Sequence, residues 1–167
     1  MSGSKLRAGP AAGVARVILR VGNPRGRYTE MVRALDALYN ARPRQYTAIA
    51  CLIGCYLDAV AARGAKGTKP KFLRFLRNNF KQLCQGLTGQ EPGLDGAEVF
   101  YKFYRSEMVH TYFSRKRKYA IAEDSELRGA YVGTVRAGGV SYTAVNMDRL
   151  YRDFRALARR RARGRTL

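Results

Sequence analysis

Acidic side chains are scarce: 12 Asp and Glu stand against 32 Lys and Arg in 167 residues. That scarcity excludes a two-metal nuclease, which needs several oxygen ligands converging on hard cations. The one dense acidic spot, Glu123, Asp124 and Glu126, reads as a solvated loop. Cysteine is limited to Cys51, Cys55 and Cys84, an odd number without a C-x-x-C pair, so a disulfide framework is excluded and a reducing compartment is expected. These thiols and the single histidine, His110, do not make a zinc site either. Cys51 and Cys55 lie inside one apolar helical run and the other two ligands are remote, which leaves the cysteines as small buried hydrophobes. No apolar run approaches the ~20 residues of a membrane span. In the opening MSGSKLRAGPAAGVARVILRVG, Arg16 and Arg20 interrupt the short apolar patch, so no secretory signal is read there and a cytoplasmic protein without a membrane partner is expected. G-x-x-x-x-G-K-[ST], G-x-G-x-x-G after a strand, G-x-S-x-G and H-E-x-x-H are all missing. Nucleotide hydrolysis, dinucleotide binding, serine hydrolysis and zincin chemistry are thereby disfavoured, and neither metal nor cofactor is expected.

What is present is positive charge on a chain able to fold. The formal net charge is +20, while 46% hydrophobic residues, with 11 Tyr and 7 Phe, exclude a wholly disordered polymer. The length suits one domain that buries its own core. Charge of this size cannot be neutralised internally and must face solvent or a polyanion. Arg outnumbers Lys 24 to 8. Guanidinium forks phosphate bidentately and stacks on bases, so the bias points to nucleic acid.

Three regions are expected. Residues 1–27, broken by Gly3, Gly9, Pro10, Gly13, Gly22, Pro24 and Gly26, form a flexible basic lead in which ARVILRV is either a short strand or a helical turn. Residues 28–158 form a single helical domain with a β-hairpin at about 130–145, and 159–167 an Arg-rich tail. Within the domain, Thr29 is the expected cap of a helix to about Asn40, and Ile49, Leu52, Ile53, Tyr56, Leu57 and Val60 mark a second over about Arg44 to Arg63. A third opens at Thr68 or Lys69 and runs through about Leu87, with Phe72, Leu73, Phe75, Leu76, Phe80 and Leu83 inward and Lys71, Arg74, Arg77 and Lys81 outward. Asp95 or Gly96 starts a fourth, reaching about Ser114. Alternation in AYVGTVRAGGVSYTAV around Gly138 and Gly139 predicts the hairpin, after which Asn146 or Asp148 caps a last helix ending in RALARRRARGR. Candidate phosphate contacts are Arg74, Arg77 and Lys81, the run Arg115, Lys116, Arg117 and Lys118, and Arg159, Arg160 and Arg161.

The histidine falls in FYRSEMVHTYF. On a regular helix it lies roughly 140° from Arg105, whereas Arg105 and Tyr112 share a stripe. It shares its side of the wheel with Val99 and Phe103, as either a core residue or a residue of an apolar dimer interface does. R-S-E-M-V-H-T-Y, Arg105 to Tyr112, has the Arg-x4-His-x-Tyr form, and in this the chain resembles the HEPN family, particularly its HepT-like branch of antitoxin-paired toxins. The resemblance implies an all-helical bundle, here of four to five helices with the small hairpin before the basic C-terminal helix. It also implies a homodimer joining two motifs into a metal-independent endoribonuclease site. Arg105, His110 and Tyr112 would be its catalytic residues. His110 would move protons at the RNA 2′-hydroxyl or the leaving 5′-oxygen, and Arg105 would stabilise charge on phosphorus oxygens. Tyr112 would orient the pair or accept AMP from a partner nucleotidyltransferase antitoxin. The alternative is a non-catalytic nucleic-acid-binding or structural scaffold.

Overall fold

The structure, a computed structural model, describes residues 24–62, 69–106 and 118–164. It is mainly helical, with one small three-stranded sheet. Helix α1 (Pro24–Asn40) opens on proline, whose missing N–H is no loss in a first turn. It therefore begins ahead of Thr29, which is inside the helix and not its cap, and its first residues lie within the stretch expected to be a flexible lead. Helix α2 (Tyr46–Ala62) buries Ile49, Ile53, Leu57 and Val60, a stripe at helical spacing. Each such fully buried side chain contributes about 1.5–3 kcal/mol relative to exposure.

The expected third helix is two helices, α3 (Lys69–Asn79) and α4 (Lys81–Leu87), separated at Phe80, where φ is −127° and ψ 50°. A local competitor for the backbone sits at that break: the Asn79 side-chain amide donates to the Phe75 carbonyl at 2.8 Å. Phe72, Leu73, Leu76, Phe80 and Leu83 are buried, and Phe75 is half-buried. Helix α5 (Gly96–Val99) starts where expected and is held by a capping box: the Asp95 carboxylate accepts from Glu98 N at 3.0 Å and Glu98 accepts from Asp95 N at 3.1 Å. Gly96 is required there, since a Cβ would lie 1.7 Å from the Cys84 carbonyl oxygen.

Beyond Val99 the chain does not continue as a regular helix. Phe100–Ser106 is a π-helical segment, which buries Phe100, Phe103 and Tyr104. Wheel positions computed at 100° per residue do not hold through it. The expected helix end near Ser114 lies outside the described residues.

The hairpin is present as β2 (Val132–Ala137) and β3 (Val140–Asn146). Gly138 and Gly139 both have positive φ, 56° and 77°, as a two-residue turn between twisted strands requires. A strand not expected from sequence, β1 (Tyr119–Ala122), pairs parallel with β3 from Tyr119 opposite Thr143 to Ala122 opposite Asn146, giving the order β1-β3-β2. A short helix, α6 (Asp124–Leu127), links β1 to the hairpin. It occupies the acidic spot read from sequence as a loop.

Asn146 caps the last helix, α7 (Met147–Ala162), by accepting from Arg149 N at 2.9 Å. Buried Met147, Leu150, Tyr151, Phe154, Leu157 and Ala158 form its inner stripe. The helix reaches Ala162, so residues 159–162, assigned by composition to the tail, are its last turn. One buried carboxylate fixes α7 against its neighbours. Asp148, 3% exposed, accepts from Tyr39 Oη at 2.6 Å, Tyr46 Oη at 3.0 Å, Arg44 at 3.3 Å and the Asp124 backbone N–H at 2.8 Å. Its lone pairs are thus satisfied from α1, from the start of α2 and from α6. Among the described residues no helix is long and apolar enough to cross a membrane.

Candidate nucleic-acid interface

Of the three expected catalytic residues, only Arg105 is described; His110 and Tyr112 lie outside the described residues. Arg105 sits near the end of the π-helical segment, 19% exposed, paired with Asp58 of α2 and 5.4 Å from the centre of the Tyr101 ring. Its Nε is buried and has no hydrogen-bond partner among the described residues. The guanidinium is therefore already answered by a carboxylate, which offsets the charge it would offer a phosphate. The partnership spans 47 residues and has no local signature.

Cys51, Cys55 and Cys84 form no disulfide. Cys51 and Cys84 are half-buried, and burial, with a smaller push from the Asp95 charge, raises the Cys84 thiol to about 11, so it stays protonated at neutral pH. Cys55 is exposed, contrary to the expectation that all three are buried. Among the described residues no group of three or more His, Cys, Asp or Glu side chains is placed to hold a metal ion.

The expected phosphate contacts separate into three kinds. Arg74 and Lys81 are exposed on α3 and α4, but Arg77 is committed to Asp95, with Nε at 2.8 Å and Nη2 at 2.5 Å. Lys118 is tied to Glu91 at 2.9 Å and to the Gln90 carbonyl at 3.3 Å, while Arg115, Lys116 and Arg117 lie outside the described residues. On α7, Arg159 and Arg160 are exposed, yet Arg161 turns inward, its guanidinium 5.8 Å from the Phe75 ring and its Nε buried. Arg161 is four residues after Leu157 and seven after Phe154, both buried, so it extends their stripe and does not belong to the outer face.

That outer face carries a dense cationic row. Arg152, Arg155, Arg159, Arg160 and Arg163, with Tyr151, line a groove of about 350 Å³. The steps 152, 155, 159 and 163 are helical neighbours, which places the guanidiniums in one row. The expected Arg-rich tail, 159–167, includes Arg159, Arg160 and Arg163, whereas Arg152 and Arg155 fall outside it although their spacing of three and four was there to be read. Two carboxylates answer this row. Asp36 of α1 accepts Arg155 Nε at 2.8 Å and Nη2 at 2.9 Å, and Tyr151 Oη at 2.6 Å, while Arg159 stands off at 4.0 Å. Asp124 reaches Arg152 at 3.3 Å. Burial alone would raise the Asp36 carboxyl, but the hydrogen bonds from Arg155 and Tyr151 and the charges of Arg155 and Arg159 outweigh it and hold it below the ordinary aspartate range. Tyr151, half of this pairing, also stacks on Tyr39 with ring centres 3.9 Å apart, which makes the floor of the groove rigid. Arg160 and Arg163 make no side-chain hydrogen bond or ion pair to a described residue. No protein-family model, curated protein or solved structure matches the chain.

Proposed function

We propose that the protein binds RNA, holding its phosphate backbone along the arginine row of α7. The observation that carries this reading is the groove itself: five arginines on one face, answered among the described residues by two carboxylates. From Arg152 to Arg163 the row covers roughly 16 Å of helix axis. That is the rise of on the order of five stacked phosphates of one strand. The net charge of +20 supplies the long-range attraction that brings a polyanion to it. Fluorescence anisotropy with a labelled RNA tests the reading. Affinity should fall with salt, with a log–log slope of about −2 or steeper if three or more arginines displace counterions. Arg159→Ala with Arg160→Ala should weaken binding about tenfold or more and flatten that slope. Unchanged affinity in the double variant refutes the assignment.

A second reading is the HEPN-like one: a four- to five-helix bundle acting as a homodimeric, metal-independent endoribonuclease through Arg105, His110 and Tyr112, silenced by a nucleotidyltransferase antitoxin. The observation that favours it is that Arg105 stands in a π-helical segment, a geometry found disproportionately at functional sites. In this reading Asp58 holds Arg105 until RNA competes for it. Incubation with RNA in EDTA decides: products ending in a 2′,3′-cyclic phosphate, lost in both Arg105→Ala and His110→Ala, support the enzyme. Binding without cleavage leaves the scaffold.

A further inference from the structure

We infer that Asp36 makes the α7 groove selective for an extended polyphosphate backbone over compact phosphate compounds, by occupying the point toward which Arg155, Arg159 and the Tyr151 hydroxyl are turned. The inference rests on the RNA-binding reading of the same groove and concerns which anion it accepts.

A compact, highly charged anion needs several donors aimed at one place. In this groove Arg155, Arg159 and the Tyr151 hydroxyl are all turned toward one place, and a carboxylate already fills it. Asp36 takes the Nε and Nη2 edge of Arg155 and the hydroxyl of Tyr151, and stands 4.0 Å from Arg159. This side-on fork takes two of the five N–H donors of Arg155 and leaves its end-on Nη1–Nη2 edge to a ligand. The charge that is not answered sits elsewhere in the row. Arg159 is 49% exposed and only loosely engaged, and Arg160 and Arg163 follow it toward the helix end. Arg152, 55% exposed, lies two turns before them with its own carboxylate at 3.3 Å. Available guanidinium is thus spread along the helix, with a filled point between its ends. A linear chain of phosphates can engage the separated donors in turn, whereas a single compact anion meets Asp36 where it would bind best. Like-charge juxtaposition of this sort is how a site rejects the wrong partner.

The test is competition against a labelled RNA bound to the full chain, using unlabelled RNA oligonucleotide and inorganic tripolyphosphate at equal phosphate concentration. Wild-type protein should release the label to tripolyphosphate about tenfold less readily than to RNA. Asp36→Asn keeps the size and an acceptor for Tyr151 but frees the Arg155 fork, and should shift that ratio about tenfold toward tripolyphosphate. Asp153→Asn makes the same change of charge on α7 beside Tyr131, outside the groove lining, and should leave the ratio where it was. Two results overturn the inference: tripolyphosphate competing as well as RNA against wild type, or the two variants shifting the ratio alike. The first of these needs no variant, so it stands even if Asp36→Asn does not fold. Failure of the RNA-binding reading is seen separately, in the titration of wild type before any competitor is added.

Discussion

At the scale of single residues, the tightest constraint is Gly96. Its hydrogen faces the Cys84 backbone, and a methyl group there would stand 1.7 Å from the carbonyl oxygen. Neither partner is the end of a flexible side chain, so α4 and α5 must move apart. Gly96→Ala is expected to cost about 2–3 kcal/mol, lowering the melting temperature by roughly 5–10 °C in a thermal scan. Asp95 beside it was readable as a cap because a capping box is a local pattern, complete within four residues. Arg105 was readable only as a member of a motif. Its carboxylate partner is 47 residues away on another helix, and nothing local distinguishes a guanidinium that is paired from one that waits for a phosphate. Asp36 was not legible at all as part of the site, because its role exists only where α1 and α7 touch.

At the scale of elements, α7 has two faces that its sequence writes in the same letter. Arg160 points to solvent beside the groove, and Arg161 packs its stem and guanidinium toward Phe75 of α3. Arg160→Ala should weaken RNA binding and leave the melting temperature within a degree or two. Arg161→Ala should do the reverse, since it deletes packing and the contact with an aromatic face worth about 0.5–1 kcal/mol or more. Paired melting curves and anisotropy titrations separate the two. The hairpin and the cap at Asn146 were legible because alternation, a glycine pair and a polar residue before an amphipathic stretch are all local. The bend at Phe80 and the strand β1 were not. At Phe80 an oily stripe continues through the break, so periodicity alone runs the two helices together. β1 is four residues long and is defined by a parallel partner some 24 residues further on, Tyr119 against Thr143.

At the scale of the molecule, carboxylates join the helices. Asp148 binds α7 to α1 and the start of α2, Asp36 binds α7 to α1, and Asp124 binds α6 to the start of α7 through Asn146. Burial would raise Asp148, but hydrogen bonds from Tyr39, the Asp124 N–H and Tyr46 and the charge of Arg44 hold it low; Asp124 is lowered chiefly by its hydrogen bond from Asn146. Tyr39 answers in the opposite sense, its hydroxyl pushed up to about 12 by burial and by Asp148. A carboxyl depressed in the folded state stabilises the fold fully above its unfolded value, near 3.8 for aspartate. It loses that contribution as pH falls through its lower folded value. Stability to urea should therefore hold steady from neutrality down to about pH 5 and drop below about pH 4, followed by far-ultraviolet circular dichroism. A flat profile across that range would mean these pairs are not coupled to folding.

The row of arginines on α7 has a consequence for the protein without its ligand. Like charges three and four residues apart on a helix repel by a few tenths of a kcal/mol per pair. Here they are concentrated on the helix that also carries Leu150, Phe154 and Leu157 into the core. A polyanion laid along the row removes that repulsion and, by mass action, adds about 2.7 kcal/mol to the folded state when present at a hundred times its dissociation constant. The melting temperature of this protein is in that sense a property of the protein and its anion together, and nucleic acid carried through a preparation would be read as intrinsic stability.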